Sequence, residues 1–93
     1  MSLIRLTVLA KGKVQGVGYR YHIMLKANQL SITGYAKNLS DGDVEIVAEG
    51  NETDVMVLMG FLQTASPSSV VEDIVTEELI KLDTLTFSQF NSY

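Results

Sequence analysis

A chain of 93 residues with 46% hydrophobic content and one proline holds enough apolar material for one small domain, residues 1–93, and leaves none for a second. Seven Lys and Arg against eleven Asp and Glu give a formal charge of −4, which argues against non-specific binding to nucleic acid or to an anionic membrane. The lack of cysteine rules out disulfides, thiolate metal sites and a thiol nucleophile, and the single histidine, His22, rules out a multi-histidine metal centre.

The first stretch, "LIRLTVLAKG", sets Ile4, Leu6, Val8 and Ala10 on one face and Arg5 and Thr7 on the other, the alternation of a half-buried strand. "GKVQGVGYR", residues 12–20, follows as a glycine-rich loop. From Tyr19 the period changes: Tyr19, Ile23, Ala27 and Leu30 recur at helical spacing, which predicts a helix ending near Leu30 or Ser31. "TGYAKNLSDGDVEIVAEG" reads as a β-hairpin that turns at "SDG". "NETDVMVLMGFLQT" is helical again, with Val55, Leu58, Met59 and Leu62 sharing a face and Asn51 or Thr53 as its cap. Pro67 marks the break after it. "VVEDIVTEEL" then reads as a β-branched strand and "LDTLTFSQF" as a weaker closing one.

The order β-α-β-β-α-β implies the α+β, ferredoxin-like split βαβ sandwich: an antiparallel sheet with two helices on one face. This architecture hosts many activities, so function has to be sought in the loop. No apolar run approaches the ~20 residues of a membrane span, and a cytoplasmic location is expected.

Gly12, Gly16 and Gly18 do not fit the G-x-G-x-x-G spacing of a dinucleotide site, and no Gly-Lys-Ser/Thr follows. A strand, a loop able to take positive φ and a helix N-terminus can nevertheless turn successive N–H groups onto an anion. Arg20 falls where the helix begins and can fork two hydrogen bonds onto phosphate oxygens. Val14 to Arg20 also has the spacing of the Cys-x5-Arg loop of cysteine phosphatases, with valine in the nucleophile's place, so water is the expected attacker. The plain alternative is a flexible turn with an exposed arginine.

"GKVQGVGYR" followed by "GYAKNLSDGDVEIVAEG" resembles the acylphosphatase family in both of its diagnostic segments, with Gly34, Tyr35, Ala36, Lys37 and Asn38 followed by Gly42, Val44 and Gly50. The resemblance implies hydrolysis of acyl phosphates to carboxylate and inorganic phosphate; no cofactor, metal, nucleic-acid or membrane partner is expected, and a monomer is the default. It implies a phosphate-binding loop of Gln15, Gly16, Val17, Gly18, Tyr19 and Arg20, with Arg20 holding the phosphoryl group and Asn38 positioning the water. The chemistry can do with these groups: a carboxylate of pKa roughly 4 to 5 leaves without a general acid. A neutral amide can hold water without repelling the anion. On position alone, Asn38 is also a typical hairpin-turn asparagine. Ser31 stands where the family often has glycine, a departure that bears on helix exit and leaves catalysis intact. Two other readings are a non-catalytic module that binds acyl or carbamoyl phosphate, and RNA binding on the sheet, which the acidic balance opposes.

Overall fold

In the computed structural model, which describes residues 2–93, the opening alternation becomes β1 (Leu3–Lys13), with Ile4, Leu6, Val8 and Ala10 buried on one face. β1 is flanked by two antiparallel neighbours, β3 (Val44–Asn51) and β4 (Val70–Leu82). β2 (Thr33–Asn38) pairs antiparallel with β3, and the sheet order is β4-β1-β3-β2-β5, where β5 is Phe90–Ser92. Helix α1 (Tyr19–Gln29) supplies Tyr19, Ile23 and Ala27 to the core, and α2 (Glu52–Phe61) supplies Val55 and Leu58. These join the buried face of β1 with Ala36, Ile46 and Ala48 in one cluster, so both helices cover the same face of the sheet. That is the α+β, ferredoxin-like sandwich expected from the element order.

The element ends have local causes. Asn51 caps α2, its side-chain oxygen accepting from the Thr53 N–H at 3.1 Å, and Glu52 and Asp54 complement the helix dipole in the first turn. α1 closes when the Ile32 N–H donates to the Ala27 carbonyl at 2.8 Å, which requires Ser31 to take the left-handed conformation, φ 57°. Serine thus adopts the geometry that glycine would take more cheaply. The β2–β3 hairpin turns over Leu39–Asp43, where Leu39 N–H bonds the Asp43 carbonyl at 2.9 Å and Gly42 has φ 97°.

The C-terminal third departs from expectation in two ways. β4 runs on to Leu82, and "LDTLTFSQF" is not a strand: only Phe90–Ser92 is extended and paired. The sheet is also mixed, because β5 lies parallel to β2. Both follow from topology. β4 occupies one edge and β2 lies near the other, so residues 83–89 must cross the face that the helices leave open before the chain can pair again. Glu49, 0% exposed, holds this crossing. Its carboxylate accepts from the Thr86 N–H at 2.7 Å, the Thr86 hydroxyl at 2.6 Å, the Phe87 N–H at 3.2 Å and Arg5 Nε at 2.8 Å. Burial alone would raise the Glu49 pKa; the hydrogen bonds from Thr86, Arg5 and Phe87 outweigh it and hold the carboxyl below its ordinary value.

Candidate active site

β1 delivers the chain into the loop 14–18, anchored by the buried Val14. Gly16 and Gly18 take left-handed φ values of 72° and 77°, conformations that a side chain would strain. Gly18 is also the N-cap of α1. No side chain caps that end among the described residues, and its first turn holds no acid. The orphan N–H groups of the first turn therefore face the loop unopposed, in the arrangement that receives anions at helix N-termini. Ser66, 4% exposed, donates its hydroxyl to the Val17 carbonyl and ties the loop to the turn after α2.

The expected site residues separate into groups. Tyr19 contributes only backbone to the loop: its ring is buried and its hydroxyl donates to the Leu62 carbonyl at 2.7 Å, with burial pushing the phenol pKa up. Gln15 turns its side chain away from the loop, the carboxamide nitrogen donating to the carbonyls of Leu39 at 2.8 Å and Asp43 at 2.9 Å. It thereby joins the glycine loop to the turn that follows Asn38. Arg20, on the first turn of α1, donates from Nη1 to the main-chain oxygen of Tyr93. That same oxygen accepts the Asn38 N–H at 3.2 Å. One main-chain oxygen therefore brings Arg20 and Asn38 together, although they lie on different elements.

Asn38 ends β2 on the same face as the buried Ala36, the face that carries the helices. Its Oδ1 is buried without a hydrogen-bond partner among the described residues. A buried acceptor left open is rare and generally marks a place for a water or ligand. Tyr35 and Lys37 point to the opposite face. Tyr35 donates to Glu45 at 2.8 Å, and burial together with that carboxylate pushes its phenol pKa up to about 12. Lys37 is exposed, as alternation along β2 predicts. His22 sets Nδ1 2.8 Å from the Gly18 carbonyl and so braces the loop's exit.

Sequence reasoning did not find Tyr93, Ser66, the side-chain role of Gln15 or the 2.6 Å ion pair between Lys11 and Asp43. No local pattern announces them, since each acts on a residue far away in the chain. Among the described residues, no group of three or more His, Cys, Asp or Glu stands placed to hold a metal ion. No helix among them is long and apolar enough to cross a membrane.

A split βαβ sandwich with both helices on one face, its first loop leading into an uncapped helix end, defines a ferredoxin-like α+β domain. The chain belongs to the acylphosphatase family, whose model matches residues 6–91. It is 38% identical to the acylphosphatase of Bacillus licheniformis over 96% of this chain and 97% of that relative. It is 45% identical to that of Deinococcus radiodurans over 80% of this chain and 85% of that one. The crystal structure of acylphosphatase from Bacillus subtilis superposes with a TM-score of 0.85 at 32% identity, covering 97% of this chain and 98% of the other.

Proposed function

We propose that this site hydrolyses acyl phosphates by in-line attack of water on phosphorus. Arg20 and the N–H groups of Gln15, Gly16, Val17, Gly18, Tyr19 and Arg20 cradle the phosphoryl oxygens, and Asn38 holds the water. The observation that carries this reading is the meeting of Arg20 and Asn38 at the Tyr93 oxygen, with the Asn38 Oδ1 buried and without a hydrogen-bond partner among the described residues.

The chemistry follows from the groups present. A bond forms between the water oxygen and phosphorus while the phosphorus–oxygen bond to the acyl group breaks. The electron pair leaves on the carboxylate, and the water protons depart with inorganic phosphate. A loose phosphoryl transition state asks mainly for charge stabilisation and alignment. Arg20 and the loop donors supply the first, and the neutral Asn38 amide the second. No general acid is required, because the carboxylate is already a stable anion near neutral pH. The substrate is a small molecule, no cofactor takes part, and we assign the active form as a cytoplasmic monomer.

Hydrolysis of benzoyl phosphate by the wild type and by Asn38→Ala, each also titrated with inorganic phosphate, tests the assignment. Loss of one aligning contact at the reacting centre should lower kcat by about 100-fold with phosphate affinity kept. Phosphate binding without turnover in the wild type would reduce the site to a binding module.

A further inference from the structure

Three aspartates gather behind the turn that carries Asn38. Asp43 ends that turn, and Asp41 sits within it, its carboxylate accepting the Asp43 N–H at 3.0 Å. Asp73 stands opposite Lys11 on the β1–β4 pairing. Asp43 is also joined to both halves of the site, since its carbonyl accepts from the Gln15 side chain at 2.9 Å and from the Leu39 N–H at 2.9 Å. Acid near a phosphoryl site repels an anionic substrate. The one ion pair that Asp43 makes among the described residues is with Lys11, Nζ to Oδ2 at 2.6 Å, and the Asp43 side chain is only 13% exposed.

We infer that Lys11 is an electrostatic partner of the phosphoryl site, offsetting the Asp43 charge, one of the three negative charges that Asp41, Asp43 and Asp73 would otherwise present to an anionic substrate. The inference rests on the phosphate reading of the loop given above. Lys11 touches neither the glycine loop nor Arg20 by hydrogen bond; it acts only through Asp43. Its ammonium pKa is raised: the hydrogen bond to Asp43 is the largest cause, desolvation opposes it, and the charges of Asp43, Asp41 and Asp73 add to the rise. The cation therefore persists throughout the neutral range. The same pair has a purely structural alternative, in which Lys11 and Asp43 merely staple β1 to the turn. The two accounts predict opposite signs for one of the two partners.

If the pair acts as a staple, Lys11→Met and Asp43→Asn impair the protein in the same direction. If Lys11 cancels charge, they oppose each other. Asp43 is one glutamine side chain away from the loop backbone at Gln15, and a unit charge about 10 Å from a dianion changes its affinity by about fourfold at low salt. Lys11→Met is expected to raise the Kd for inorganic phosphate by about two- to fourfold, and Asp43→Asn to lower it by a similar factor. The double variant should return to within about twofold of the wild type, and all differences should shrink in molar salt. KM for benzoyl phosphate should follow the same order. Equal shifts of one sign, or none, would overturn the inference. Because phosphate binding is read without turnover, a wild type that binds phosphate but does not hydrolyse benzoyl phosphate sinks the catalytic assignment alone. A wild type that binds no phosphate sinks both.

Discussion

Replacing Glu49 by glutamine keeps the shape of a fully buried side chain and changes only its charge and half of its hydrogen-bonding capacity. The amide oxygen can still accept from the Thr86 and Phe87 N–H groups. The amide nitrogen then faces Arg5 Nε, now 2.8 Å from the carboxylate, donor against donor. The Thr86 hydroxyl can rotate to accept, but Arg5 cannot, and its side chain is only 26% exposed. A charge-assisted hydrogen bond of about 1.5–3 kcal/mol is lost, and a partly buried guanidinium is left short of its partner. A loss of about 2–3 kcal/mol is expected at neutral pH. In a domain of this size that corresponds to a fall in Tm of roughly 10–20 °C. Urea titration followed by circular dichroism measures it, beside Glu49→Ala, where about 3–5 kcal/mol is expected because every donor is orphaned.

The pH dependence supplies a second check on Glu49. Its folded-state pKa lies below the ordinary value of 4.5. The group therefore contributes stability that is fully present above the unfolded pKa and is lost as pH falls through the folded one. The gap between wild type and Glu49→Gln should narrow as the solution is acidified below the ordinary carboxylate range. A loss under about 0.5 kcal/mol at neutral pH, within the scatter of ordinary surface substitutions, or a gap that widens in acid, would refute the argument.

Two further outcomes are expected. Ser31→Gly relieves the left-handed strain at the end of α1, where φ is 57°, and should stabilise the fold by about 0.5–1 kcal/mol, read as a higher urea midpoint with unchanged kcat. Gln15→Leu removes both bonds to the Asn38 turn and should lower kcat by about tenfold with the phosphate Kd nearly unchanged, since each contact is worth about 1 kcal/mol. Steady-state kinetics and a phosphate titration separate the two parameters, and a Kd that rises as much as kcat falls would place the Gln15 side chain at the phosphate instead.

Much of this molecule was legible from local pattern. The two-residue alternation of β1, the helical spacing of Tyr19, Ile23 and Ala27, and the "SDG" turn each follow from sterics and burial within a few residues. The family segments likewise drew attention to Arg20 and Asn38. Gly34 belongs to that legible part for a reason visible only in three dimensions: at φ 136°, a Cβ there would stand 1.9 Å from the Val47 carbonyl oxygen on β3. Other features depended on contacts between distant parts of the chain. Gln15 meets the Asn38 turn across 24 and 28 residues, Glu49 meets the crossing segment across 37, and Arg20 meets Tyr93 across 73. No periodicity encodes such a pairing, because which partner a hydrogen-bonding side chain finds depends on where the sheet places both ends. The sequence by itself determined β1, both helices, the β2–β3 hairpin and the glycine loop, and the family resemblance pointed to Arg20 and Asn38. Only the tertiary structure decided that β5 runs parallel to β2, that Glu49 holds the segment leading to it, and that Arg20 and Asn38 share one main-chain oxygen, because each of these requires the sheet order to be closed first.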